Sequence, residues 1–417
     1  MRVVCFVKRL EFEFHGNVYK NAIALGDVDN DGEIELVIGN MNGDLVIYKG
    51  KKCWQKLSGL GVITAVGIGD VMNCDSNALV VICGDGWCHI YMCLRPKSTE
   101  VPVQKSVKLV SVHDQRIPPN TSVLLLEDID ADGNKELVLG LTDRVVRSYR
   151  WQIQSKLTGG TLVCLNKWEC ANQIGSLTLN YDANGLPCLL IAQPGGTFMR
   201  IRPILSKELM EKEENRFKRN ENEMKVDYHL LSLSRMRNPN ILTEIVGNIN
   251  QGVTRSKNRG SPYAVTTLDG TLMMVQDEEI IWSIQVDHQL FVLTKLDIVG
   301  DGRDEIVACS WDGQTYILDQ EKHSVRFQLE EAVSAFCAGH YTLKHGDSPV
   351  PCFIYTTFTN KVYLYYDIKL ESMTTKNLLT NIKEDTEIEE IFEKDIIMDK
   401  KSVKNLVEWC LYNNHTK

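Results

Sequence analysis

The feature that most constrains this chain is internal repetition. A segment recurs along it as apolar strand, acidic turn, apolar strand, glycine turn, apolar strand, and such a unit cannot bury its apolar faces alone. The clearest copy is AIALGDVDNDGEIELVIGNMNGDLVIYKG, Ala22 to Gly50. A second strong copy, VLLLEDIDADGNKELVLGLTDRVVRSYRW, begins at Val123, and a third, LTKLDIVGDGRDEIVACSWDGQTYILD, begins at Leu293. Weaker copies start at Ile63 and Ser176, at Ile241 (resuming at Tyr263), and at Ala332 (resuming at Cys352). The turns then fall near Asp27, Asp70, Asp128, Asp182, Asn248, Asp297 and Ala338. Their spacing of about forty to sixty-five residues suits one four-stranded propeller blade per unit. Fourth apolar stretches such as LVCLNKWEC at Leu162, IIWSIQV at Ile280 and SVRFQLE at Ser324 complete the units. The expected fold is all-β, a seven-bladed β-propeller with a C-terminal α-helical tail.

The seventh copy runs short of strands after KVYLYYDIKL, while the N-terminal VVCFVKRLEFEF is a strand without a unit. Pairing that strand, roughly Arg2 to Phe14, with blade seven closes the ring and hides its edges. The propeller is expected over residues 1–370, with a charged insertion at about 206–225 in the fourth unit and a helical tail over 373–417. In the tail Val403, Leu406, Val407, Cys410 and Leu411 recur at helical spacing and form an apolar stripe that must be covered, either by a binding partner or by the chain's own propeller. Upstream, Thr386 with Glu389 resembles a capping box.

The acidic turns carry the main chemical signal. Asp27, Asp29 and Asp31 stand at alternate positions before Gly32, and Glu35 returns a fourth carboxylate. Asp128, Asp130, Asp132, Gly133 and Glu136 repeat the order, with Glu33 and Asn134 placed to offer main-chain carbonyls. Hard oxygen donors in this arrangement suit Ca²⁺, which here would be a structural staple. The same residues also suit metal-free turns, because Asp and Gly cap their own backbone. In the third strong copy Val299 occupies a donor position between Asp297 and Asp301, and the Asp70 copy has Met72 and Cys74 in place of donors.

Other classes find little support. A net charge of −9 argues against nucleic acid as a main partner, because phosphate contacts need clustered Lys and Arg. The first residues alternate apolar and charged, so no signal-peptide core can be drawn, and no run reaches bilayer-spanning length. Thirteen scattered cysteines suit a reducing compartment. Cys83, Cys88, His89 and Cys93 have a zinc-like look, but alternation sends Cys88 and His89 to opposite faces of one strand, which reads as free thiols. No hydrolase elbow, phosphate loop or zinc-protease motif is present. His288 beside Asp287 reads as a strand-end histidine, and Trp311–Asp312 as turn chemistry.

The LGDVDNDGEIELVIG, EDIDADGNKELVLG and LDIVGDGRDEIVA segments resemble the FG-GAP repeats of integrin α propellers. Read in order with LTDRVVRSYRW, TLDGTLMMV, WSIQVDHQLF, ACSWDGQTYILD and VRFQLEEAVSAFCAG, nearly the whole chain is similar to the integrin α FG-GAP repeat-containing proteins of the KICSTOR complex. That resemblance implies a non-enzymatic intracellular propeller. It would join kaptin and the other KICSTOR subunits, recruit the GATOR GTPase-activating complex to lysosomes, and restrain TOR signalling when amino acids and glucose are scarce. The alternative from another class is a Ca²⁺-binding adhesion or lectin-like propeller with an extracellular ligand.

Overall fold

The structure is a computed structural model and describes residues 2–93, 108–153, 159–203, 224–230, 240–252, 259–375, 405 and 408. The chain divides into two compact units, Met1–Leu370 and Glu371–Lys417.

The second strands of the repeats explain why the repeats are legible. Glu35–Gly39, Ala78–Cys83, Glu136–Leu141, Pro187–Gln193 and Glu305–Ser310 are buried at every residue, because each sheet is covered on both faces by its neighbours. Such strands read as continuous apolar runs rather than as alternation. Outermost strands alternate instead, as Ser324–Gln328 and Arg9–Glu13 do, since one face meets solvent.

Seven sheets result among the described residues. Blade one consists of Ile23–Gly26, Glu35–Gly39, Leu45–Lys49 and Lys52–Leu57; blade two of Ile63–Gly69, Ala78–Cys83, Trp87–Cys93 and Leu109–Arg116. Blade three follows with Thr121–Glu127, Glu136–Leu141, Val145–Ile153 and Gly160–Glu169; blade four with Leu177–Tyr181, Pro187–Gln193, Thr197–Pro203 and Met224–Leu230. Blade five holds Thr243–Val246, Tyr263–Thr267, Thr271–Gln276 and Glu279–Gln285; blade six Leu290–Leu296, Glu305–Ser310, Gln314–Leu318 and Ser324–Gln328. Blade seven has Val333–Tyr341, Val350–Thr357 and Lys361–Tyr366. Each first strand packs on the first strand of the next blade, and that of blade seven returns to blade one, so the ring is closed.

The N-terminal segment closes it in two steps, which corrects the expectation of a single strand from Arg2 to Phe14. Arg9–Glu13 pairs antiparallel with Lys361–Tyr366 as the fourth strand of blade seven. Arg2–Val3 instead adds a short parallel fifth strand to blade six, against Val325 and Arg326. Between them the Phe6 ring lies 5.1 Å from Phe327 of blade six and 5.8 Å from Phe353 of blade seven. A second correction concerns the last turn. Ala338 lies inside the strand Val333–Tyr341, paired with Phe353, and the turn begins at Thr342. The charged insertion lies outside the described residues except for Met224 and Lys225, which open the last strand of blade four.

Neighbouring blades are stapled by a recurring contact. In blade one the Asn30 amide donates to the Asn77 carbonyl at 3.0 Å while its Oδ1 accepts the Asn77 N–H at 2.7 Å. Asn73 of blade two makes the same exchange with Lys135 of blade three. Between blades five and six, Asp304 donates its N–H to the Asn250 carbonyl and accepts the Asn250 N–H on Oδ2. Asn77, Lys135 and Asp304 each stand immediately before a second strand, so that position recurs as a docking point between these sheets.

Candidate functional site

The acidic turns link the first and second strands on one face of the ring. The leading Asp caps its own turn in five copies, in the Asp182 copy by accepting the N–H groups of Asn184 and Leu186. Asp27 accepts the N–H groups of Asp31 and Gly32 at 3.1 and 2.8 Å; Asp128 accepts those of Ala131 and Gly133 at 2.7 and 2.8 Å. Asp297 accepts those of Gly300 and Gly302, and Asp70 those of Cys74 and Asp75. Gly32, Gly133 and Gly302 have φ of 87°, 87° and 80°, left-handed values that favour glycine.

The closing Glu is buried in each strong copy and clamps the start of the turn. Glu35 accepts the Val28 N–H at 2.9 Å, Glu136 that of Ile129 at 3.1 Å, and Glu305 that of Ile298 at 2.6 Å. Burial pushes all three carboxyls up to about 7, against the opposing pull of those hydrogen bonds.

A basic side chain enters two of the turns. Lys49, at the end of the third strand of blade one, places Nζ 2.9 Å from Asp29, 2.5 Å from Asp31, 3.0 Å from Glu35 and 3.6 Å from Glu33. In blade three the Arg150 guanidinium donates to Asp130 at 3.0 Å, to Asp132 at 2.6 Å and through Nε to Glu136 at 2.7 Å. Burial works against charge on both cations, yet their carboxylate partners outweigh it and lift them above their usual range. Sequence reading placed the carboxylates together and missed the cations. The available signal is that both stand twenty-two residues after the leading Asp, following a Tyr; in blade six that position holds Asp319.

The two other residues expected to give main-chain donors also use side chain or amide. Glu33 accepts the Gly346 N–H at 2.9 Å and faces His345 Nδ1 at 2.5 Å, both from the turn between the first two strands of blade seven. Asn134 donates its N–H to Asp132 at 2.8 Å. Groupings close enough to hold an ion are Asp27–Asp29–Glu35, Asp128–Asp130–Glu136, Asp31–Glu33–His345 and Asp319–Glu321–His323.

The remaining candidates resolve simply. Cys83 and Cys88 are buried free thiols, and His89 pairs with Asp114. His288 meets Asp312 at 2.6 Å rather than Asp287. The channel mouth opposite the acidic turns, a cavity of about 660 Å³, is lined by Tyr19, Lys20, Val62, Asp85, Ile174 and Leu242 among others. Lys20 crosses it to pair with buried Glu244 of blade five and donates to the Gly175 carbonyl at 3.3 Å. On the same face Trp311, in the turn after Ser310, stacks on Phe291 with centroids 4.0 Å apart and neighbours Phe358 of blade seven at 6.4 Å. Trp311 and Phe358 are 38% and 51% exposed, flanked by Asp312 and Glu331. The stripe Val403, Leu406, Val407, Cys410 and Leu411 lies outside the described residues; Asn405 and Glu408, described between them, are helical and exposed.

Comparison with known proteins agrees with this geometry. A family model described as integrin-alpha FG-GAP repeat-containing protein 2 matches residues 47–370. A Mus musculus protein named KICSTOR complex protein ITFG2 is 39% identical over 407 residues, covering 94% of this chain and 92% of the relative. A Bos taurus protein of the same name is 37% identical over 393 residues, 91% of this chain and 74% of that one. Among solved structures, a chain in the crystal structure of BBS1N in complex with ARL6DN superposes with a TM-score of 0.60 at 14% identity, covering 89% of this chain and 99% of that one. Saccharomyces cerevisiae Sqt1 follows at 0.51 and 12% identity, with coverages of 82% and 83%. Those two likenesses concern the fold alone. The repeats, the turns and the chain-long identity together make this chain a member of the integrin-alpha FG-GAP repeat-containing protein 2 family.

Proposed function

We propose that the chain is a non-enzymatic scaffold subunit of a KICSTOR complex. In that role it joins kaptin and the other subunits, helps recruit the GATOR GTPase-activating complex to the lysosomal surface, and so restrains TOR signalling when amino acids and glucose are scarce. The observation that carries this reading is 39% identity along 94% of the chain to a protein named for that complex.

Two surfaces are proposed for docking. One is the tail stripe of Val403, Leu406, Val407, Cys410 and Leu411, whose spacing suits a helix laid in a partner's groove. The other is the Trp311–Phe358 patch, whose acidic flank fits a partner segment carrying basic and apolar residues. Cells lacking the protein should keep TOR signalling active during amino-acid starvation, with GATOR absent from lysosomes, and re-expression should restore both. Normal GATOR placement in the knockout would refute the proposal.

A further inference from the structure

The acidic turns of blades one and three meet the donor pattern for Ca²⁺ but do not fit it as folded. Ca²⁺ takes six to eight oxygens at ~2.3–2.6 Å. The point from which Asp29, Asp31 and Glu35 are all within reach is held by Lys49 Nζ, at 2.9, 2.5 and 3.0 Å. The leading Asp27 accepts a backbone N–H on each of its oxygens. In blade three the Arg150 fork holds Asp130, Asp132 and Glu136 in the same manner. We infer that these FG-GAP turns carry their cation internally, with Lys49 and Arg150 standing where a Ca²⁺ ion would stand, so that the blades are built without metal.

Three further observations point the same way. Both cations occupy one repeat position, reached from the third strand directly across from the closing Glu: Leu36 pairs with Tyr48 and Leu137 with Tyr149, one residue short of Glu35–Lys49 and Glu136–Arg150. The position is therefore structural and recurrent, not two accidental surface contacts. Blade two forms a similarly Asp-capped turn around Asp70 with Met72 and Cys74 at the donor positions, so the backbone path does not require metal. The carboxylates most in need of neutralising are also the deepest, with Glu35 0% and Glu136 1% exposed, and each meets the internal cation through the oxygen not given to backbone. A permanently attached cation suits a compartment where free Ca²⁺ is scarce, since no mass action is needed to keep it in place.

The test exchanges the cation for a neutral side chain of similar length. Purified full-length wild type, Lys49→Met, Arg150→Met and the double variant are titrated with CaCl₂ by calorimetry and melted in CaCl₂ and in chelator. The wild type should give no binding heat and the same melting temperature in both. Each single variant should gain one Ca²⁺ site and a melting temperature that rises with CaCl₂, and the double variant should gain two. Ca²⁺ binding by the wild type, or folded variants that gain none, would overturn the inference. If removing the cation prevents folding, Lys49→Met with Glu35→Gln and Arg150→Met with Glu136→Gln decide the matter. Folding should return when the paired carboxylate is neutralised as well, and its failure to return would also overturn the inference.

Discussion

Thr342 and Ile34 exchange two hydrogen bonds where blade seven meets blade one: the Thr342 hydroxyl accepts the Ile34 N–H at 2.9 Å, and the Thr342 N–H donates to the Ile34 carbonyl at 3.2 Å. Ile34 stands immediately before a second strand, like Asn77 and Lys135, so the ring closes with the staple used elsewhere. Thr342→Val keeps the shape and deletes the hydroxyl acceptor, leaving a half-buried N–H unpaired at a cost of ~1–3 kcal/mol. Over a domain this large, roughly 1–2 °C of melting temperature is lost per kcal/mol. An unchanged melting temperature would show that the staple is dispensable.

Deleting residues 1–14 removes strands from two blades at once. Blade seven loses the pairing of Arg9–Glu13 with Lys361–Tyr366, and blade six loses its short parallel strand. Phe12, whose ring lies 4.4 Å from Tyr48 of blade one, goes too. The truncated chain should unfold at markedly lower temperature and aggregate through the exposed edges. Deleting residues 1–7 alone should cost far less, because the fourth strand of blade seven survives. Equal melting of all three chains would contradict the closure.

Glu305 gives a pH signature. Burial raises its carboxyl from the ordinary 4.5 to about 7 in the folded chain, with Asp297 and Asp301 adding to the rise. A raised acid means that the folded state holds the proton more tightly. Its contribution is therefore complete below about pH 4.5 and is lost as pH climbs through 7. Glu305→Gln should flatten the fall in melting temperature between pH 5 and pH 8. A variant whose profile runs parallel to the wild type would disprove this assignment.

What could be read from the chain, and what could not, follows from distance along it. The seven units were legible because strands buried on both faces need continuous apolar residues, and because Asp-capped turns leave a local pattern. The pairing of Arg9–Glu13 with blade seven could be inferred from a count of strands. The step from Arg2–Val3 to blade six could not, since two residues carry no period. Ala338 was misplaced because blade seven lacks the Asp that marks the end of its first strand. Lys49 and Arg150 escaped notice because the carboxylates they meet lie on the preceding hairpin, and only the folded register brings them together.

The exposed pair Trp311 and Phe358 tests the docking surface. Trp311→Ala with Phe358→Ala should lower melting by only a few degrees, since Trp311 loses its stack on Phe291 while Phe358 is half exposed. It should also weaken recovery of at least one KICSTOR subunit, because exposed aromatic residues with an acidic rim are common binding anchors. Full recovery of every subunit would move the contact to the tail, where Leu406→Asp with Val407→Asp is the corresponding test.

The scaffold role is tested most directly by purification of the tagged full-length protein from its own cells, with the co-purifying chains identified and their stoichiometry determined. Kaptin and the other KICSTOR subunits should be recovered in fixed ratio, surviving a sizing column as one assembly. Recovery of the protein alone, or with partners unrelated to that complex, would contradict it.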